Sequence, residues 1–207
     1  PNYRLEHHSE TELPRQHAFL KRLIEQGLNS LVITGTCFEY GMQSGSLQED
    51  MPTKPENPYG LAKDILCHQM QALQQASPFN LTWARLFYMY GEGQAKNSLW
   101  PQLNRAVGQG DPVFNMSGGE QLRDYLSVAE VAKYLICLAR NQQNNGLVNV
   151  CSGQPIRVKD LVKRWIREND WRIELNLDHY PYPDYEPMEF WGDNRKLLSI
   201  LKPQKPL

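Results

Sequence analysis

The run LVIT, Leu31–Thr34, is short, continuous and rich in β-branched residues. Such a run predicts a strand buried on both faces of a parallel sheet, because a half-exposed strand would show alternating polar residues. On either side of it, His17–Gln26 and Tyr59–Gln75 carry apolar residues at helical spacing. A second apolar run, NLTWARLFY at Asn80–Tyr88, completes a strand-helix-strand unit. In a parallel sheet, such a unit has a right-handed crossover.

The rest of the chain continues the alternation of helices and strands. After a long polar loop at Gly41–Pro58, further elements are predicted at Leu99–Val107, Pro112–Asn115, Ser127–Arg140, Leu147–Cys151, Val158–Glu168 and Asn194–Leu201. The stretch from Leu175 to the last of these is rich in Pro, Tyr and Asp, which predicts irregular structure. The alternation predicts an α/β fold with a doubly wound parallel sheet.

The composition excludes several classes of partner. The 207 residues carry a net charge of −1 and no long basic run, so we expect neither nucleic acid nor a charged membrane surface as a partner. The longest apolar stretches fall far short of the ~20 residues that cross a bilayer, and we expect a cytoplasmic protein. Four widely spaced cysteines, without metal-ligand spacing, predict reduced thiols and no metal site. The adjacent His7 and His8 predict a surface loop.

The segment PENPYGLAK, Pro55–Lys63, carries the first candidate chemistry. Tyr59 and Lys63 are four residues apart, so they lie on one face of the predicted helix. A nearby ammonium favours the phenolate, and we therefore expect a lowered pKa for Tyr59, suited to proton transfer near neutral pH. The alternative is that Tyr59 only begins the helix and Lys63 is a solvated charge. Thr36, at the end of the first strand, favours the catalytic interpretation. Its hydroxyl could hydrogen-bond to the substrate oxygen that exchanges a proton with Tyr59.

Five ordered motifs resemble the extended short-chain dehydrogenase/reductase family that modifies nucleotide sugars. They are LVITGTCFEYG, PENPYGLAK, ARLFYMYGEG, RDYLSVAEVA and LVNVCSGQPIRVKDLV, which begin at Leu31, Pro55, Ala84, Arg123 and Leu147. The resemblance implies hydride transfer between NAD or NADP and a sugar carbon, usually C4, of a nucleotide-diphosphate sugar. It therefore implies an NAD(P)-dependent nucleotide-sugar 4-epimerase or 4-keto reductase.

The resemblance also implies a role for each matching residue. The catalytic residues would be Tyr59 as acid/base, Thr36 as its hydrogen-bonding partner and Lys63, which also holds the cofactor ribose. The cofactor-binding residues would be Thr34, Tyr59, Lys63, Leu86 and Phe87. The substrate-binding residues would be Tyr88, Ser98, Leu99, Phe114 and Arg123. The Arg123 guanidinium would pair with a phosphate, and the alternative is a salt bridge with Asp124 or another neighbour.

The same resemblance implies two domains and a dimer. Residues 1–93 and 123–151 would form the C-terminal half of an NAD(P)-binding Rossmann domain. Residues 94–122 and 152–207 would form a smaller substrate-binding lobe. A homodimer would pair two helices through Leu66, Met70 and Leu73 on one and Phe19 and Leu23 on the other, although core packing explains the same residues.

Two departures from the family narrow these expectations. Members carry a G-x-x-G-x-x-G turn whose helix holds the cofactor pyrophosphate, and no such motif occurs in the 207 residues. We therefore expect a truncated form that does not bind NAD(P) tightly by itself. The alternative function is a non-catalytic binding or regulatory module. Cys37 and Phe38 stand where dehydratases of the family carry an Asp-Glu pair, which disfavours dehydration.

Overall fold

The computed structural model describes residues 2–184 and 186–202, so Pro1, Tyr185 and residues 203–207 of the predicted domains lie outside the described residues. The helices are α1 (Leu13–Glu25), α2 (Pro58–Ala76), α3 (Leu99–Gln109), α4 (Val128–Asn141), α5 (Val158–Glu168) and α6 (Arg195–Leu201). The strands are β1 (Ser30–Thr36), β2 (Gly45–Leu47), β3 (Asn80–Leu86), β4 (Tyr88–Tyr90), β5 (Val113–Asn115), β6 (Leu122–Arg123), β7 (Tyr125–Ser127), β8 (Gly146–Val150), β9 (Ile156–Arg157), β10 (Glu174–Asn176) and β11 (Phe190–Gly192).

The central sheet is parallel, with β3 between β1 and β8. In this register Thr36 lies beside Leu86, and Leu86 lies beside Val150. The carboxyl ends of the three strands therefore meet at one edge. In open α/β sheets this edge is where ligands bind.

Each strand of the sheet supplies apolar residues to both faces. Ile33 and Trp83 pack in one cluster with residues of α1 and α2. Ala84 and Val148 pack in another cluster with residues of α4 and α6. Because both faces are covered, the strands need apolar residues at every position, which explains the continuous run LVIT. The predicted α/β fold with a parallel sheet between helical layers is confirmed.

A further core cluster lies away from the central sheet, where α3 and α5 pack with the small parallel pair of β5 and β10. Its fully buried tryptophan, Trp165, contacts the rings of Trp100 and Tyr90 at centroid distances of 4.9 and 5.0 Å. The C-terminal part of the chain thus has apolar packing of its own.

The strand boundaries differ from the predicted ones at places where consecutive residues pair with different strands. The run predicted at Asn80–Tyr88 is divided, because the Phe87 N–H donates to the Val150 carbonyl while the Tyr88 N–H donates to the Asp124 carbonyl. The strand β4 then pairs with β7. Within the polar loop, β2 pairs with β11 from the stretch that was predicted to be irregular. A π-helical turn at His8–Glu12 precedes α1.

Two residues of the predicted dimer contact are core residues. Leu66 and Met70 are 1% and 0% exposed and pack against the sheet, so the prediction that they supply an intersubunit surface is wrong. Phe19 is 63% exposed and remains available. None of the described helices combines the length and apolar character that crossing a bilayer requires.

Candidate active site

Thr36 ends β1 and fixes the turn that follows it. Its side chain accepts a hydrogen bond from the Phe38 N–H at 3.3 Å, and its own N–H donates to Glu39 Oε1 at 2.8 Å. This reciprocal arrangement is a capping box, here on a single 3₁₀ turn, Cys37–Tyr40. The hydroxyl of Thr36 is therefore held at the carboxyl edge of the sheet.

Tyr59 lies in the first turn of α2 and is brought to Thr36 by close backbone packing. The Asn57 side chain caps this helix by accepting the Gly60 N–H at 2.8 Å. A Cβ atom on Gly60 would lie 2.8 Å from the Phe38 carbonyl oxygen, so only glycine allows this approach. As a result the Thr36 hydroxyl lies near the Tyr59 phenol and favours its ionised form. The structure thus brings together two of the three predicted catalytic residues.

The expected lowering of the Tyr59 pKa is wrong. Burial raises the pKa of this phenol, the neighbouring Cys37 and Glu39 act in the same direction, and the Thr36 hydroxyl opposes them. Desolvation of the phenolate outweighs the effects that favour it. The Lys63 ammonium donates instead to Gln16 Oε1 at 3.5 Å, and burial lowers the pKa of Lys63.

An open pocket of about 360 Å³ lies beside Tyr59 and Lys63. Gln16 and Glu12 line it from α1 and the preceding turn, and His8 lines it from the N-terminal segment. Lys63 carries three N–H donors, of which Gln16 accepts one. The pocket and these donors fit the hydroxyl-rich ribose next to a nicotinamide ring.

The other predicted cofactor residues lie elsewhere around the sheet edge. Leu86 and Val32 pack in the cluster that α4 covers. Thr34 is two residues after Val32 in β1, so its side chain lies on the same face of the sheet. Phe87 is buried in a separate cluster with Tyr40 and other apolar residues. The structure does not bring these three residues to the pocket beside Tyr59, and their cofactor role stays a prediction.

Arg123 is buried, and its guanidinium is fully engaged with protein acceptors. Its Nε and Nη2 donate to Glu186 Oε2 at 3.1 and 2.8 Å. The remaining donors bind the backbone carbonyl oxygens of Leu122, Met188 and Pro187. A guanidinium has five N–H donors, so this arrangement leaves none for a phosphate. Of the two alternatives considered, the structure shows the salt bridge, and the partner is Glu186.

The remaining predicted substrate residues are divided between two places. Tyr88 is half-buried beside the turn that follows Thr36, with ring centroids 6.4 Å from Phe38 and 5.3 Å from Tyr125. Burial raises the pKa of Tyr88, and the Glu186 carboxylate acts in the same direction. Ser98 and Leu99 begin α3, and Phe114 is buried in the cluster under it. Only Tyr88 among these residues lies near the Thr36–Tyr59 pair.

A buried ion pair behind Thr36 was not predicted. The fully buried Glu39 carboxylate accepts hydrogen bonds from Arg85 Nε at 2.6 Å and from Trp83 Nε1 at 3.1 Å, besides that from the Thr36 N–H. It links β3 to the end of β1. The arginine within the apolar run NLTWARLFY was the available signal, because a buried guanidinium needs a partner.

We expect Tyr59 to titrate above 10.0, its ordinary pKa, in the 207-residue chain. The folded protein then keeps a proton that the unfolded phenol releases, so Tyr59 lowers the stability as the pH rises above that value. Thr36→Val should raise the pKa further by removing the hydroxyl that favours the phenolate, whereas Lys63→Met should leave it unchanged. The ζ-carbon signal of ¹³C-labelled tyrosine, assigned with Tyr59→Phe, measures both. A Tyr59 phenolate signal at neutral pH would contradict this expectation.

Known proteins share this fold and sequence pattern. Residues 11–151 match the NAD dependent epimerase/dehydratase family. The chain is 27% identical over 86% of its length to dTDP-6-deoxy-L-talose 4-dehydrogenase (NAD(+)) of Aggregatibacter actinomycetemcomitans, covering 66% of it. It is 27% identical over 71% of its length to UDP-glucose 4-epimerase of Halalkalibacterium halodurans, covering 50% of it.

A solved structure, MoeE5 in complex with UDP-glucose and NAD, is 25% identical and superposes with a TM-score of 0.72. The match covers 87% of this chain and 62% of MoeE5. The chain thus spans between half and two thirds of the length of these relatives. The family match covers most of the chain and includes Thr36, Tyr59 and Lys63. The chain belongs to the NAD-dependent epimerase/dehydratase family.

Proposed function

We propose that this chain carries the acid/base centre of an NAD(P)-dependent nucleotide-sugar 4-epimerase or 4-keto reductase. The observation that carries the proposal is the close packing of the first turn of α2 on the turn after β1, which places Tyr59 beside Thr36 at the carboxyl edge of the sheet. Lys63 follows one helical turn later on α2 and opens onto the same pocket. The resemblance to the family assigns these three residues to its catalytic positions.

The raised pKa of Tyr59 defines its part in the reaction. Because its pKa lies above the ordinary value of 10.0, the phenol is protonated at neutral pH and can donate its proton to a sugar oxygen that gains negative charge. Thr36 orients that oxygen, and Lys63 holds the ribose of the cofactor. When bound, NAD or NADP would exchange hydride with the sugar carbon. In the reverse direction the same phenol oxygen takes the proton back, which requires help from groups that favour the phenolate.

The proposed cofactor and substrate follow from the family and from the packing. Residues 1–93 and 123–151 would hold the nicotinamide end of NAD(P), and residues 94–122 and 152–207 would hold a nucleotide-diphosphate sugar. The core cluster under α3 and α5, distinct from those of the sheet, supports this division. The relatives that act on dTDP- and UDP-sugars support the substrate class.

The oligomeric state and the cellular compartment of the protein are also proposals. A homodimer would use the exposed Phe19 on α1. The four free cysteines support a reducing compartment and therefore the cytoplasm.

Deuterium transfer tests the proposal in the complete gene product that carries this sequence. A reductase should move deuterium from C4-deuterated NAD(P)H to C4 of a nucleotide-4-keto-sugar. An epimerase should convert a C4-deuterated nucleotide sugar to its epimer with the deuterium retained, because the cofactor returns it. NMR of the sugar reports both the deuterium at C4 and the configuration of that carbon. Failure to incorporate deuterium in the first experiment together with failure to form the epimer in the second, with the cofactor bound, would refute the proposal.

A non-catalytic binding module is the alternative, and one observation favours it. Arg123, which the family motif assigns to a phosphate, has every donor occupied within the protein. A module of this kind should show neither isotope transfer nor tight binding of a nucleotide sugar. Isothermal titration with UDP-glucose therefore complements the isotope experiment.

A further inference from the structure

We infer that Tyr3 and His8 are positioning residues for Tyr59. The inference rests on the proposed function, since it concerns the orientation of the same phenol. The two residues belong to the N-terminal segment 2–12, which lies over the first turn of α2. From the sequence, His8 was assigned to a surface loop.

The ring of Tyr59 contacts three other aromatic rings. The His8 ring packs edge-on with centroids 5.2 Å apart and an interplanar angle of 66°. The Tyr3 ring lies at 5.4 Å with an angle of 42°, and Phe38 lies at 6.4 Å with an angle of 81°. Tyr3 also packs on Phe38 at 4.8 Å. We call Tyr3, His8 and Phe38 the aromatic brace.

Hydrogen bonds fasten the brace to α2 and to the segment itself. The Tyr59 N–H donates to the Tyr3 carbonyl oxygen at 3.2 Å. The Ser9 hydroxyl donates to the Pro58 carbonyl oxygen at 3.4 Å. His8 Nε2 hydrogen-bonds to the Asn2 carbonyl oxygen at 3.0 Å, which fixes the imidazole ring. These hydrogen bonds therefore join the N-terminal segment to Tyr59, the predicted acid/base, and to Pro58 before it.

The brace matters because the Tyr59 phenol must keep one direction to serve as an acid. A tyrosine side chain has two rotatable bonds, and the preferred rotamers point its hydroxyl to different places. Edge-to-face ring contacts restrict these rotations. A displacement of about 1 Å at a reacting group can lower a rate by about 100-fold. Removal of the rings should therefore lower the rate of the proton transfer more than it weakens substrate binding.

The kinetic test compares ring removal with ring retention in the complete gene product. Tyr3→Ala and His8→Ala should each lower kcat by about 10- to 100-fold, with KM for the nucleotide sugar within about threefold. Tyr3→Phe keeps a ring and should retain kcat within about threefold, and His8→Phe, which also keeps a ring, should lose less activity than His8→Ala. Leu5→Ala, an exposed residue of the same segment, should behave as the wild type.

A second measurement does not depend on turnover. In the 207-residue chain, His8→Ala should bring the Tyr59 pKa down toward 10.0, because solvent reaches the phenol, and His8→Phe should not. The ¹³C signal of the Tyr59 ζ carbon reports this shift in the folded state. Alanine variants that keep the wild-type kcat and Tyr59 pKa would overturn the inference, as would phenylalanine variants no better than alanine. If Tyr59→Phe were as active as the wild type, the proposed function would fail instead.

Discussion

Replacement of Tyr59 by phenylalanine should lower kcat of the complete gene product by about 10²- to 10⁴-fold, the usual contribution of a general acid or base. Phenylalanine keeps the ring and its contacts with the aromatic brace but removes the only proton that the side chain can donate. The sugar oxygen would then receive its proton from water. KM should change little, because the ring still fills its place. Steady-state kinetics with a nucleotide-4-keto-sugar measure both quantities.

A matched control exists in Tyr180, a largely exposed tyrosine of the C-terminal stretch. Tyr180→Phe should retain the wild-type kcat. The pH profile offers a further check, because the raised pKa of Tyr59 keeps the phenol protonated in the wild type. Titration of Tyr59 should therefore not change the rate of reduction across neutral pH. A Tyr59→Phe variant within threefold of the wild type would remove the tyrosine from the mechanism.

Replacement of Glu39 by alanine should lower the free energy of unfolding by about 3 to 5 kcal/mol, the usual cost of removing one partner from a buried ion pair. The variant would leave the Arg85 guanidinium buried and without its carboxylate, and it would remove the acceptor of the Trp83 indole and Thr36 N–H. Chemical denaturation of the 207-residue chain, followed by tryptophan fluorescence, measures the change. The midpoint should fall while the dependence on denaturant stays the same.

Two further variants serve as controls for the predicted loss of stability. Glu39→Gln keeps an acceptor oxygen in the same place, so its loss should be smaller than that of alanine. Glu25→Ala removes an exposed partner of Lys21, an ion pair with a nitrogen–oxygen distance of 3.8 Å. Such surface pairs contribute about 0 to 1 kcal/mol, so this variant should unfold close to the wild type. If Glu39→Ala and Glu25→Ala lowered the free energy of unfolding equally, the buried ion pair would contribute no more to stability than the exposed one.

The sequence predicted the central architecture because that part of the fold depends on simple periodicities. The strand at Leu31–Thr34 and the helix at Val158–Glu168 follow from apolar runs and helical spacing, and both appear in the structure. The pairing of β2 with β11 could not be predicted, because both strands are short and lie in polar, proline-rich stretches. Such pairings are decided by tertiary contacts rather than by local pattern.

The sequence placed Thr36, Tyr59 and Lys63 near one another, but it did not predict the direction of the Tyr59 pKa shift. The spacing of Tyr59 and Lys63 placed both side chains on α2, and the strand end placed Thr36 beside them. The sign of the Tyr59 pKa shift depends on desolvation, which a spacing rule cannot supply. The roles of Tyr3 and His8 also could not be predicted from the sequence, since no periodicity relates these residues to α2.

The order of the central sheet has a consequence for how the chain acquires its structure. The middle strand, β3, pairs with β1 far before it and with β8 far after it, and no neighbouring strands of this sheet are joined by a short hairpin. Contacts between distant segments close large loops at an entropic cost, and proteins dominated by them fold slowly. During synthesis, the sheet therefore stays incomplete until residues beyond Val150 have left the ribosome. Chaperones would meet a nascent chain whose apolar strands remain uncovered until late.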